Sequence, residues 1–501
     1  MTSNKTGSGT RATVPPATPP SIGPSIGPSI GPAQGKARFV EGSTMRHVIV
    51  MTATGSVGLI AVFLVDFANL FYIARLGQQE LAAAIGYAGT ILFFNISICI
   101  GITIAATALV SRYLGQGDRH RARRMAGSAL VFIVLVTIAV AGLLMALVGP
   151  ALSLLGASGQ TLAIARGFLL IVLPSMPLIG LGMCLSGLLR AHGDAKRAMY
   201  VTLGAGFAAA LLDPLFIFGF DLGVTGAAIA TVCSRIVMVA IGLYGTVKIH
   251  DMVGRPSLEG LVADAGALTG IAVPAVLTNI ATPFGNAYIT GAIAPYGDDA
   301  VAGWAVIGRI IPVAFGAIFA LSGAIGPILG QNFGARQFDR VRQAMRDALV
   351  LTIGYCLIVW AILFLAQGFV ISIFDATDKA AELIAFFSTV AAVGFLFNGG
   401  LFVANAAFNN LGFPALSTLF NWGKATLGTI PFVWAGSLWL GATGVLLGQA
   451  AGALLFGVAS VIVCFRVIAT LETRDPDQRK PPLWRSGISA FSSAKSATLH
   501  N

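Results

Sequence analysis

The 501 residues are 56% hydrophobic and only 10% charged, with a mean hydropathy of +0.85, which lies outside the range of soluble globular chains and excludes a water-soluble enzyme or binding domain. A formal net charge of +11 would suit nucleic acid, but the bases are confined to loops between apolar runs, so no nucleic-acid partner is expected.

In chain order, residues 1–46 come first and contain SIGPSIGPSIGP, a tetrapeptide repeated three times. Such a segment cannot bury a core and is expected to be a disordered tail. Apolar runs then recur from His47 to Thr470, beginning near positions 47, 82, 125, 162, 198, 224, 262, 301, 346, 381, 414 and 442. Each reaches the roughly 20 residues that a helix needs to cross a bilayer. They are expected to be helices, because a membrane barrel would show alternating segments of about ten residues. Residues 471–501 are polar again and are expected to form a second disordered tail. No short apolar segment with a cleavage site precedes the first run, so no signal peptide is expected.

Loop charges set the expected topology. Arg112, Arg119, Arg121, Arg123 and Arg124 lie between runs two and three, Arg190, Lys196 and Arg197 between four and five, and Arg336, Arg340, Arg342 and Arg346 between eight and nine. The intervening turns, such as APYGDDAV and DATDKAAEL, are acidic. The positive-inside rule puts the basic loops and both tails in the cytoplasm, as in a multi-pass protein of a bacterial inner membrane. The five cysteines (Cys99, Cys184, Cys233, Cys356, Cys464) sit in separate runs without paired spacing and read as packing residues. The five histidines fall at run ends, in loops or in the tail, so neither a metal site nor any other cofactor is expected.

The chain also repeats itself. RLGQQELAAAIGYAG (75–89) aligns with PYGDDAVAGWAVIGR (295–309), and YLGQGDRHRARR (113–124) with NFGARQFDRVRQ (332–343), at an offset of 218 to 220 residues, or six runs. Six is even, so the halves insert in the same orientation. The expected fold is an all-α integral membrane protein of twelve transmembrane helices in two six-helix lobes, 47–250 and 251–470, related by a pseudo-two-fold along the membrane normal. A central cleft between the lobes is the expected substrate pathway.

The RLG…LAAA turn, LGQGD…AR, LLRAHGDAKRAM, LLDPLFIFGFDLGVTGAAIAT, ILGQNFGAR and ATGVLLGQ, in order from about residue 47 to 470, resemble the multidrug and toxic compound extrusion (MATE) transporters, especially their bacterial DinF-like branch. The resemblance implies an antiporter that expels organic compounds, cationic or amphiphilic, in exchange for H+ or Na+ by alternating access. It implies no enzyme and no bound cofactor beyond the coupling ion, and a monomer is expected. Two alternatives remain: a flippase for lipid-linked saccharides of the same superfamily, which would carry more charge in its cavity, and a membrane-embedded enzyme, for which no catalytic constellation is visible.

Asp66 and Asp213 stand out inside apolar runs, where inserting an aspartate costs about 2.5–3.5 kcal/mol. Asp66 and Asn69 are three residues apart and share a helix face. Asp213 precedes Pro214, whose missing N–H leaves the Ala210 carbonyl free nearby. A carboxyl kept from water takes up a proton more readily, which suits a reversible proton carrier. The resemblance places the family's first-helix aspartate at Asn69, so acid and amide are exchanged along one face here, while Asp213 and Thr231 match family positions directly. Where relatives with a sodium-type site carry asparagine, this chain has Ala209; the lost oxygen favours H+ over Na+. In the second half, Asn279, Asn286, Asn398 and Asn405 stand where other branches have carboxylates, and amides take up no proton; they are expected to serve packing or substrate. Lys424, in FNWGKATLG, would either repel cationic compounds or bind acidic ones. Arg235 and Arg309 are expected to reach an interface or pair with carbonyls.

The topology has a direct check. Cysteines introduced at Asp298 or Lys379 should react with a membrane-impermeant thiol reagent in intact cells, and one at Arg119 should not; the reverse pattern would overturn the orientation.

Overall fold

The computed structural model describes residues 37–75 and 79–473, with the side chains of 66–71, 73–75, 79 and 82 outside the description. The described residues fold almost wholly into helices, as the bilayer requires of a chain whose backbone groups must find partners within their own segment. The spans are α1 (Thr44–Arg75), α2 (Gln79–Gly115), α3 (Arg119–Leu154), α4 (Gly159–His192), α5 (Ala195–Gly219), α6 (Gly223–Ile249), α7 (Leu258–Tyr296), α8 (Asp298–Ala314 with Gly316–Gly334), α9 (Phe338–Ile373), α10 (Asp378–Thr389 with Ala391–Leu411), α11 (Pro414–Ala425 continuing to residue 440) and α12 (442–473). By length and hydropathy alone ten helices pass as spans, eleven with the bent pair of α8; folding of the 60-residue stretch Pro414–Thr473 gives the twelfth. Most helices begin several residues before the apolar runs, because polar first turns such as Arg119–Arg124 are helical too.

That fold occurs at Gly441, whose φ of +63° few side chains tolerate. Beyond it α11 and α12 run back to back. A Cβ built on Gly452 would lie 1.7 Å from the Gly428 carbonyl oxygen, one on Gly448 2.3 Å from that of Phe432, and one on Gly436 2.1 Å from that of Gly444. Small residues let two backbones touch where no hydrophobic effect drives helices together. The first half repeats the device at the α5–α6 turn, where Gly226 packs on the Phe216 carbonyl. Two further spans are broken near prolines, α4 at Leu173–Ser175 beside Pro174, and α8 by 47° around Phe315, three residues after Pro312.

The halves meet along α1 and α2 on one side and α7 and α8 on the other. Among the described residues, their mutual hydrogen bonds all lie at the end that carries the basic loops. Arg112, 4% exposed, donates from Nε to the Asn410 carbonyl (2.7 Å) and from Nη2 to that of Asn409 (2.8 Å), at the C-terminus of α10. Gln331 donates to the Ala191 carbonyl at the C-terminus of α4 (2.7 Å). Between them α2 and α8 cross so closely that a Cβ on Gly115 would lie 2.0 Å from the Gln331 carbonyl oxygen and one on Gly334 2.1 Å from that of Arg112. Outside this crossing, Ser128 on α3 donates to Asp264 on α7 (2.8 Å), and Thr44 on α1 donates to Asp347 on α9. Arg112 and Gln331, Asn410 and Ala191, Gly115 and Gly334, and Ser128 and Asp347 are each separated by the offset of the internal repeat. The seam is therefore pseudo-symmetric in position while its residues differ.

Residues 37–46, read from the sequence as the end of a tail, are structured. Phe39 is 1% exposed; its N–H donates to Gln331 Oε1 (2.8 Å) and its carbonyl accepts from Asn332 (3.1 Å) and Arg340 (2.8 Å). The strap thus ties the start of α1 to α8 and α9. Near it, Asp194 caps α5 by accepting the Arg197 N–H (3.0 Å). Burial pushes its carboxyl up, but the Arg197 backbone, the His250 ring and the Arg197 guanidinium outweigh this and hold it down at about 2.

Two outcomes follow from this packing. Gly452→Ala should destabilise the protein by about 1–3 kcal/mol through overpacking, read as a lower unfolding temperature in detergent, whereas Gly142→Ala, in open space, should not. Arg112→Ala strands two carbonyls and removes charged hydrogen bonds worth about 1.5–3 kcal/mol each, so the basic end should open at least tenfold more often. Spin labels at the exposed Arg121 and Arg336 should then report a new, longer distance; an unchanged distribution would show that Arg112 does not hold the seam.

Candidate functional site

Beyond the seam the halves still touch along α1, where Gly55 lies against Ala320 and Ile60 against Gly316. Val57, Ile60 and Leu64 share one face of α1, and Leu64 is 64% exposed. On α8, Arg309 and Val313, one turn apart on one face before the break at Phe315, are both exposed, Val313 at 67%. Both faces lie on the side of the seam away from the basic loops.

The first half places its polar residues on α1, α5 and α6. Asp213 is 2% exposed on α5. The close approach of Gly226 to the Phe216 carbonyl fixes the antiparallel register of α5 and α6, which sets Thr231 within a helical turn of Asp213 along the paired axes. Thr231 is half-buried and donates its hydroxyl to the Ala227 carbonyl (2.9 Å). Alongside, α1 runs parallel to α5, with Gly58 against Thr202 and Val65 against Gly206. Continued one turn, that register carries the α1 stretch of Asp66 and Asn69 to the level of Ala209 and Asp213. Both residues lie in the helix, but their side chains, like those of Phe67 and Phe71, fall outside the described residues. Ala209 is buried and offers no oxygen from its side chain.

In the second half the asparagines do not form one cluster. Asn279 donates to the Ala275 carbonyl of its own helix (2.8 Å), and Asn286, two turns on, is exposed. Asn405 is buried and its carbonyl accepts from Ser417, while its side-chain oxygen has no partner among the described residues. Only Asn398 and Lys424 meet, the ammonium donating to Asn398 Oδ1 across the α10–α11 interface. Gly285 against Ala425 and Trp422 donating to the Leu277 carbonyl (3.0 Å) bring α7 beside the same place.

Arg235 is buried and donates to the Val172 carbonyl (3.2 Å) and the Ser175 hydroxyl (2.6 Å), acceptors presented where α4 is broken. A separate cavity of about 630 Å³, lined by Leu81, Gln160, Phe168 and Thr225 among others, lies at the end away from the basic loops and holds none of the residues singled out from the sequence. What sequence reasoning missed is the seam. Arg112 was counted as a loop charge and Asp264 and Asp347 were not weighed, although all three are buried. The repeat alignment held the only signal, by pairing Arg112 with Gln331 across the two halves. Among the described residues no cluster of three metal-ligating side chains occurs.

The MatE family model matches residues 56–215 and 274–435, once in each half. The FAD transporter of Shewanella oneidensis is 28% identical over 438 residues, covering 85% of this chain and 96% of the relative. The multidrug export protein MepA of Staphylococcus aureus is 26% identical over 347 residues, covering 66% of this chain and 74% of the relative. The crystal structure of the Vibrio cholerae MATE transporter VcmN in its bent form superposes with a TM-score of 0.81 at 24% identity, over 85% of this chain and 97% of that one. With a family match in both halves and the two-lobed, twelve-helix fold of its structural neighbours, the chain belongs to the MATE family: it is a multi-pass membrane transporter of small molecules, and not an enzyme.

Proposed function

We propose that this transporter is an efflux antiporter that exchanges organic compounds for protons by alternating access, with the basic end facing the cytoplasm of a bacterial inner membrane. The observation that carries this reading is Asp213, a carboxyl buried in mid-span at the level where α1 brings Asp66 and Asn69 and α6 brings Thr231. Two carboxyls carried at one level of a membrane-embedded half resist carrying two charges, so this reading has one of them hold a proton that is lost to one side and regained from the other. The change in charge supplies the differential stabilisation that an ion-driven switch needs. Sodium fits less well, because a hard cation needs several oxygens and Ala209 gives none from its side chain.

Support for alternating access comes from the hydrogen-bonded seam that, among the described residues, closes the halves at one end alone, and support for export from the multidrug export relative. Organic cations are one cargo this reading admits. The FAD transporter among the relatives and the ammonium of Lys424 make an organic anion the other.

In proteoliposomes with an imposed pH gradient and no sodium, Asp213→Asn and Asp66→Asn should each abolish gradient-driven substrate movement, a loss of at least a hundredfold, while the protein still inserts and folds. Asn286→Ala and Asn398→Ala should change apparent affinity without removing proton dependence. Exchange that persists in Asp66→Asn, or that demands sodium and ignores the pH gradient, would overturn the proton reading. Ala209→Asn should raise any sodium response.

A further inference from the structure

The second half of the chain keeps acids out of its membrane-embedded part. Between Glu382 and Glu472 there is no carboxylate, and none occurs within α7 from residue 265, in the body of α8 from residue 300, or in α9 from residue 348 to its end. Lys424 stands about ten residues into α11, roughly 15 Å from its start and near mid-span. Among the described residues its partner is the Asn398 side-chain oxygen, which orients the ammonium but neutralises nothing. An ammonium has three donors, so this bond leaves capacity for another acceptor. The other buried cations are held differently. Arg112 lies on two carbonyls at the end of α10, and Arg235 on a carbonyl exposed by the break in α4. Among the described residues Lys424 is a half-buried charge with no carboxylate partner, and an ionisable group retained inside a membrane span marks a ligand or ion path. A second cation, Arg309, is exposed on α8 of the same half.

We propose that Lys424, oriented by Asn398, is the recognition group for the acidic head of an organic anion, a carboxylate or phosphate ester, which the exposed Arg309 attracts. The inference rests on the antiporter reading and names its substrate class: the first half handles the proton, the second the anion.

Flavin adenine dinucleotide and riboflavin share the same ring system, and the dinucleotide adds a diphosphate and an adenosine; the salt dependence and the Lys424→Gln variant assign the difference to charge. In equilibrium dialysis with the purified full-length protein in detergent, flavin adenine dinucleotide should bind at least tenfold more tightly than riboflavin, and added salt should weaken it. Lys424→Gln should lose at least tenfold for the dinucleotide and leave riboflavin unchanged, while Lys424→Arg keeps most of the binding. Arg309→Gln, at an exposed position where folding is not at stake, should slow dinucleotide association severalfold. Equal binding of the two flavins by the native protein, or undiminished dinucleotide binding by Lys424→Gln, overturns the proposal, as does tighter binding of ethidium than of the dinucleotide. Because this assay uses no gradient, its result is separable from the coupling test: dinucleotide binding that survives in Asp213→Asn alongside persistent pH-driven exchange would sink the proton reading and leave the anion site standing.

Discussion

The absence of water from the bilayer core governs the rest of this structure, because every polar group placed there must find its partner in the protein. Hydroxyls meet the requirement locally. Thr137, Thr231, Thr246 and Thr352 each donate to the carbonyl one turn earlier on their own helix. Cations need stronger acceptors, and the chain supplies them where helices end or break. Arg112 uses the last carbonyls of α10, where the helix dipole adds negative potential, and Arg235 uses the interruption of α4. Proline breaks and helix termini thus serve as solvation shells for buried charge.

The same constraint explains how two halves with one fold come to differ. Geometry is repeated: glycine crossings at Gly115 and Gly334, donors at 112 and 331, and hydroxyl–carboxylate contacts at each flank. Chemistry is not repeated. A charged guanidinium closes one side of the crossing and a neutral amide the other, and the acid lies on α7 in one flank and on α9 in its mate. Deeper in the membrane the asymmetry is complete, with Asp213 in the first half and Lys424 in the second. Duplication supplied a frame in which each half could be set to a different charge without altering the packing that the other depends on.

Much of this was legible in the sequence. Hydropathy located twelve spans, since apolar composition and span length are the signals a bilayer imposes, and the offset of the repeat gave the two-lobed arrangement. Asp213 and Lys424 stood out because charges in apolar runs are rare. The seam was not legible for a physical reason. Arg112 lies in a stretch of arginines whose composition says only that they lie outside the bilayer, and its burial depends on Asn409 and Asn410, some three hundred residues away. Phe39 was likewise hidden by its surroundings: a Pro- and Gly-rich tail gives no sign that its last residues are held by Gln331, Asn332 and Arg340. The runs beginning near 414 and 442 were legible as separate spans; the turn between them rests on a single glycine at positive φ.

The crossing of α2 and α8 has an electrical consequence. Backbone atoms in contact at Gly115 and Gly334 leave no room for a file of water molecules. Where water enters between the halves from the side opposite the basic loops, the membrane voltage falls mainly across this seam and not over the whole bilayer. A charge there feels most of the field, at about 2.3 kcal/mol per elementary charge for each 100 mV. Arg112 is that charge, fixed to the α10 terminus it clamps. The strength of the clamp is therefore tied to the membrane potential, and the energised state of the cell enters the conformational balance even before any ion or substrate has bound.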